Sequence, residues 1–210
     1  MAETTIYLVR HGETEYNKQE RIQGQGVDAE LNDYGKEQSD ALAGYFQDVE
    51  LDHIFSSTMI RAKQTAEIIA ERKKMSVEPS PELVEMNYGT MEGNSKTEVK
   101  GTIEKLHKNW DDGMVTLAPD QGESPVEVYR RANKKVMRLL EKHKGESLLF
   151  VLHGRLLRIL LSVWLELGLK RMSEFEQDNA AISLLFWDDT SFEAEFLNYQ
   201  GHLNSTSHQS

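Results

Sequence analysis

Two histidines stand in the same local setting: Leu8-Val9-Arg10-His11-Gly12 and Val151-Leu152-His153-Gly154. In each, an apolar run of the kind that forms a buried strand ends on a histidine followed by glycine. Ligands of open α/β sheets gather beyond the carboxyl ends of the strands. The glycine after each histidine allows a sharp turn and a close backbone approach to a ligand. A neutral imidazole is nucleophilic near neutral pH once its other ring nitrogen donates a hydrogen bond that sets the tautomer, and a backbone carbonyl in the following turn is the expected acceptor for His11. Arg10 adjoins His11, and Arg61 opens an amphipathic helix directly after the Ser56-Ser57 strand end. Arginine forks onto phosphate-type oxygens, and a loop-to-helix junction favours anions. The chemistry this set can do is attack on an anionic centre held by guanidinium groups. No metal is expected there, because no carboxylate stands at ligand spacing beside either histidine and the arginines repel a cation.

The elements that must position these residues alternate. Thr4–Arg10 reads as a strand, residues 11–32 as a long loop, 33–47 as a helix with Asn32 as N-cap, and His53–Ser57 as a strand. Residues 59–72 read as a helix, followed by a short strand near Val77. Ser95 and Glu98 form a capping box for a helix to about Trp110. Ser124-Pro125-Val126-Glu127 starts another helix to about His143, with proline at its first position. Ser147–Leu152 is a continuously apolar strand of the kind covered on both faces. Residues 156–167 form an apolar helix with Arg155 and Arg158 at its start, and 182–187 and 192–197 read as closing strands. Strand–helix alternation predicts a three-layer α/β/α fold with a mostly parallel central sheet. One domain is expected over residues 1–200, with a small cap or insertion at about 86–123 and a frayed polar tail at 201–210.

The chain has 210 residues, 39% of them hydrophobic and 28% charged, which suits a globular protein with its own core rather than a disordered one. It has no cysteine, which excludes disulfides and thiolate metal sites. No secretory leader and no span of roughly 20 apolar residues are visible, so a cytoplasmic protein with no membrane partner is expected. The net charge of −11 argues against nucleic acid. It also requires that an anionic ligand meet a local positive site.

The motifs, taken together, resemble the histidine phosphatase superfamily, the phosphoglycerate mutase-like proteins. They are Leu8-Val9-Arg10-His11-Gly12-Glu13-Thr14 with Asn17, the run from Ser56 to Ala66 around Arg61, and Leu83-Val84-Glu85. Tyr88-Gly89-Thr90-Met91-Glu92-Gly93, Gly122-Glu123-Ser124 and Val151-Leu152-His153-Gly154 continue the series in family order. The resemblance implies that His11 attacks phosphorus and becomes a phosphohistidine. It implies that Arg10, Arg61 and His153 hold the equatorial oxygens, with the Gly154 N–H as a further donor. It implies Glu85 as proton donor to the leaving alkoxide, with Glu13 a weaker rival and Glu92 bonding the turn around Gly89 and Gly93. No cofactor is implied. The partner is a small phosphorylated metabolite, and the chain is expected as a monomer or homodimer.

Within the superfamily, the stretch after Glu85 resembles the short phosphatase form. The cofactor-dependent phosphoglycerate mutases carry a longer insertion there, so a mutase is the alternative expectation. A non-catalytic phosphate-binding scaffold is the second alternative, and the joint presence of His11, Arg10, Arg61, Glu85 and His153 argues against it. Asn17-Lys18 and Ile22-Gln23-Gly24-Gln25-Gly26-Val27-Asp28 resemble TIGAR-type fructose-2,6-bisphosphatases and broad-specificity phosphatases. Sugar phosphates, sugar bisphosphates or phosphoglycerate-like molecules are the implied substrates. Gln23 and Gly24 are the expected substrate contacts, with Asn17 on the phosphate. Arg155 either serves a second anionic group or pairs with a nearby acid. His53 is expected to be structural, His107, His143, His202 and His208 to lie on polar faces or in the tail, and Trp110 and Trp164 to pack in the cap and core.

Overall fold

The computed structural model describes residues 3–206. Six strands form one sheet: β1 (Thr4–Arg10), β2 (His53–Ser57), β3 (Val77–Ser80), β4 (Ser147–Leu152), β5 (Ile182–Trp187) and β6 (Phe192–Tyr199). Their spatial order is β3-β2-β4-β1-β5-β6. The first four in that order run parallel, β5 runs antiparallel to β1, and β6 antiparallel to β5. The two closing strands therefore turn a parallel sheet into a mixed, largely parallel one.

Helices α2 (Asp33–Phe46) and α3 (Ile60–Lys73) cover one face of the sheet. Helices α5 (Pro125–Lys142) and α6 (Gly154–Trp164) cover the other, and α4 (Lys100–Asp111) adds Ile103, Leu106 and Trp110 to the same core; a short helix, α1, spans Glu15–Lys18. The alternation of side chains along β4 makes the three layers. Leu148, Phe150 and Leu152 pack with α5 and α6, while Leu149 and Val151 pack with α2 and α3. Because successive strand residues point to opposite faces, an unbroken apolar run is what a strand between two helical layers requires.

Capping explains most boundaries. In α5, Ser124 and Glu127 bond each other's backbone N–H, and Pro125 occupies the first turn, where its missing donor costs nothing. Val128, Ala132, Val136, Leu139 and Leu140 then put one buried stripe on the sheet. The box at Ser95 and Glu98 also forms, but it closes a turn, and the helix begins at Lys100. The loop expected over 11–32 contains α1, where Thr14 and Asn17 make a capping box. The last apolar helix starts at Gly154 and ends at Trp164. The tail is not frayed over residues 201–206. They form a 3-10 helix whose His202 is buried against Tyr45 and Tyr199. Residues 207–210, and with them His208, lie outside the described residues. No helix is long and apolar enough to cross a membrane among the described residues.

Replacing Ser124 by Ala removes the side-chain acceptor of this box and is expected to cost about 1 kcal/mol. Urea denaturation reads this as a lower midpoint at unchanged slope; an unaltered midpoint would mean that Glu127 alone holds the helix start.

Candidate active site

β1 and β4 are paired neighbours that end in register, Arg10 opposite Leu152. That pairing places His11 and His153 side by side beyond the sheet's carboxyl edge, with ring centroids 5.2 Å apart. His11 is buried, and its Nδ1 lies 2.7 Å from the Gly12 carbonyl. A carbonyl only accepts, so Nδ1 carries the proton and Nε2 presents its lone pair. Burial first, and then the Arg61 and Arg10 charges, hold the His11 imidazolium well below its usual stability range, so the ring is neutral. His153 is wholly buried, and burial followed by the Arg61 charge lowers it in the same way.

The glycines that follow these histidines are not required by backbone conformation, since neither has positive φ. They are required by approach. A Cβ at Gly12 would collide with the Gly35 carbonyl, and one at Gly154 would press on the Arg10 guanidinium 3.2 Å away.

Arg61 is 1% exposed at the first turn of α3. Its Nη1 donates to the Val27 carbonyl and its Nη2 to the Gly24 carbonyl, and Asp28 approaches to 4.0 Å. Asp28 also caps α3 by accepting from the Ile60 N–H. Burial lowers the Arg61 guanidinium to about 10, which leaves it charged at neutral pH. Arg10 donates through Nη1 to the Gln177 carbonyl.

Glu85 meets α6, a helix with no side-chain cap of its own. One carboxylate oxygen accepts from the N–H groups of Met86 and Leu156, the other from that of Arg155. The helix N-terminus, with its unpaired donors and positive dipole end, is where a carboxylate is best held. Gly154, at the first helical position, is not engaged by Glu85. A second network fixes the loop behind Glu85. Arg131 donates to the carbonyls of Glu82, Val84 and Glu85 and forks onto Glu123, which also accepts from Asn87 and Gln25.

A cavity of about 380 Å³ opens over this site, lined by Arg10, Asn17, Gln23, Glu85, Gly154 and Arg155 among others. His11, Arg61 and His153 lie deeper and do not line it. Several polar atoms here are buried without a protein partner: Arg10 Nε, Gln23 Nε2, Arg61 Nε, Gln177 Nε2 and both nitrogens of His153. Four of the six are N–H groups on arginine or glutamine, which only donate. An unmet buried donor costs about 1–3 kcal/mol, so their concentration at one place points to an anion.

The sequence-based site residues are mostly brought together. Asn17 lines the cavity and uses Oδ1 to accept from Thr14 and Asn179, contacts that do not engage its amide nitrogen. Gln23 accepts from Thr14 through Oε1. Gly24 is different: it does not line the cavity, its carbonyl serves Arg61, and a Cβ there would collide with Glu92. Among the described residues the Arg155 side chain pairs with no acid. It donates to the Tyr88 hydroxyl and to His107 Nε2, and its guanidinium lies over Trp110. Glu13 accepts from the Asn32 amide, next to the N-terminus of α2. Glu92 accepts from the Tyr88 N–H, closing the turn around Gly89 as expected, and also from the Gln25 and Gly26 N–H groups, so it pins the first loop as well. His143 and His202 are buried, not on polar faces. Gln177, Asn179, Arg158 and His107 line the cavity and were missed. The first two precede β5, whose antiparallel pairing with β1 delivers them to this edge, a pairing that no local pattern announces.

Residues 6–200 match the histidine phosphatase superfamily (branch 1). The chain belongs to that superfamily. It is 39% identical over 136 residues to fructose-2,6-bisphosphatase TIGAR of Xenopus tropicalis, a match covering 63% of this chain and about half, 48%, of the frog protein. It is 33% identical to a probable phosphoglycerate mutase GpmB of Escherichia fergusonii, covering 89% of this chain and 86% of that protein. Among solved structures, a mycobacterial glucosyl-3-phosphoglycerate phosphatase in complex with VO3 superposes with a TM-score of 0.85 at 27% identity, covering 93% of this chain and 99% of the other. Fold and family make this chain an enzyme of the phosphatase type, acting on phosphomonoesters.

Two neutral buried histidines give the stability of the fold a pH dependence. Their folded-state values lie well below 6.5, so below that pH the unfolded chain binds protons that the folded chain refuses. Stability then rises with pH, by up to about 1.4 kcal/mol per unit for each histidine. Thermal melts are expected to drop in midpoint between pH 7 and pH 5, and His153→Asn is expected to flatten that slope. An unchanged slope would show that His153 takes up its proton in the folded state.

Proposed function

We propose that the chain hydrolyses phosphomonoesters of small metabolites through a phosphohistidine on His11. The cluster of unpaired buried donors around a neutral imidazole carries this reading. His11 Nε2 attacks phosphorus as the ester P–O bond breaks, and Glu85 gives its proton to the departing alkoxide. Water then attacks the phosphohistidine and loses a proton to Glu85, the P–N bond breaks, and inorganic phosphate leaves. Arg10, Arg61 and His153 take the charge on the equatorial oxygens, with the Gly154 N–H beside them. Asn17 and Gln23 add amide donors. Phosphoryl transfer depends mainly on such positioning and charge stabilisation.

The substrate reading follows from the rim. Arg10, Arg21, Lys96, Arg155 and Arg158 line the cavity against two acids, Glu20 and Glu85. A chain of net charge −11 that gathers basic groups at one opening is built for a ligand with a second anionic group. Sugar bisphosphates and phosphoglycerate-like esters have that form. Residues 86–123 act as a cap, since Tyr88, Lys96 and His107 reach the cavity from it. The likeness to a probable phosphoglycerate mutase keeps phosphoryl return to a phosphoglycerate as the second reading.

A phosphatase screen over sugar phosphates, sugar bisphosphates and phosphoglycerates, run with EDTA, tests this. His11→Ala is expected to abolish turnover, and Arg61→Ala to lower it about 100- to 1000-fold. Activity surviving in His11→Ala, or vanishing with EDTA, would overturn the mechanism, and interconversion of phosphoglycerates without phosphate release would favour the second reading. Glu85→Gln is expected to slow poor leaving groups far more than p-nitrophenol, which departs without a proton; equal loss for both would remove Glu85 from that role.

A further inference from the structure

The opposite edge of the sheet carries a second group of histidines that the phosphatase chemistry does not use. His53 begins β2 and pairs with Leu148, near the start of β4. Parallel strands put that edge a strand length away from His11, roughly 20 Å for six residues. His143 ends α5, and Glu146 stands one residue before β4. The two imidazoles converge on one carboxylate oxygen: His53 Nε2 is 3.1 Å and His143 Nδ1 2.8 Å from Glu146 Oε2, and the ring centroids are 3.9 Å apart.

We propose that His53, His143 and Glu146 form a binding site for a divalent cation of the zinc class. The three ligand atoms lie within 4.8 Å of one another. Around a tetrahedral zinc ion with bonds of about 2.0–2.2 Å, neighbouring ligand atoms are roughly 3.3–3.6 Å apart. The His53 contact of 3.1 Å falls short of that spacing by about 0.2–0.5 Å and the His143 contact of 2.8 Å by about 0.5–0.8 Å, so the group must open by that much to admit the ion. Two imidazoles and one carboxylate suit zinc, and water completes the fourth position.

The surroundings fit. Glu78 Oε1 lies 3.5 Å from His53 Nδ1 and orients the ring from behind, as an outer carboxylate does for a metal-bound histidine. His143 is buried and its Nε2 has no partner, so Nδ1 makes the ring's one polar contact. Without an ion the 2.8 Å contact is Nδ1–H donating to the Glu146 carboxylate; a cation takes that proton's place, and the ring then carries its hydrogen on Nε2. The cation beside the group, Lys144, turns away to Glu141 and Asp189. His53 and Glu146 are part-exposed, which gives the ion an entry path.

Titration with Zn²⁺ after EDTA treatment and desalting tests the site, with thermal melts and the visible spectrum of a Co²⁺ complex as independent readouts. Wild type and His11→Ala are expected to bind one Zn²⁺ per chain at micromolar or lower concentration and to melt higher with it. Because His143 is buried and its loss could unfold the chain, His53→Gln and Glu146→Gln are the variants. Both are expected to lose tight binding, the melting shift and the four-coordinate Co²⁺ bands while keeping phosphatase turnover. Glu78→Gln is expected to weaken binding about 10-fold. Wild type that fails to bind below about 100 μM, roughly 5 kcal/mol of binding energy, overturns the proposal. So does binding that persists in His53→Gln and Glu146→Gln, or that disappears in His11→Ala.

Discussion

A guanidinium with 1% exposure dictates much of how this molecule is arranged. An arginine stripped of water needs acceptors, and a carboxylate in full contact would neutralise the charge that the site requires. Arg61 is met instead by two backbone carbonyls, Val27 and Gly24, with Asp28 only at 4.0 Å. Carbonyl dipoles stabilise the cation without cancelling it. The price is that the loop carrying those carbonyls must be held still, and three interactions do this. Glu92 takes the N–H groups of Gln25 and Gly26, Asp28 caps α3, and the Gln64 amide oxygen accepts from the Leu31 N–H. The first long loop is therefore ordered by the arginine it serves. Burial first, and then this positive charge, holds His11 and His153 neutral.

Glu85 solves the converse problem. A buried carboxylate is stabilised by donors, and α6 supplies them because no side chain caps it. The carboxylate stands where the cap would be, and cap and acid become one group. Its backbone is then anchored by Arg131 and Glu123, which lie at opposite ends of one capping box and its first turns. A helix start that looks purely structural thus sets where Glu85 stands.

The fold was legible because buried strands and capped helices leave local marks. The uninterrupted apolar run of β4, the Ser124–Glu127 box of α5 and the stripe from Val128 to Leu140 each fix an element within a few residues. The paired His-Gly ends were legible for the same reason, since a strand end is local. What local pattern does not carry is pairing direction. Nothing within 182–199 marks β5 as antiparallel to β1, and so nothing marked Gln177 and Asn179 as residues of the cavity. Gly24 failed for a related reason. Its position in a glycine-rich loop looks like ligand contact, yet its small size serves Glu92 and its carbonyl serves Arg61. The tail failed because a polar sequence hides one buried ring, His202, seated between two tyrosines.

The rim of the cavity follows a different rule from its floor. Arg155 is held by neutral partners, the Tyr88 hydroxyl and His107 Nε2. A guanidinium only donates, so His107 must accept and must stay neutral to do so. Burial, and then the Arg155 and Arg158 charges, lower it to about 3, far below working pH. Tyr88 and His107 both come from the segment between the acid and the last helix pair, whereas Arg155 comes from α6, which the acid caps. One side chain thus joins the segment that holds Tyr88 and His107 to the helix that follows the second histidine. Because its partners are neutral, its charge stays available at the opening. The outer positive charge is thus held by contacts separate from those that hold Arg61 and His11.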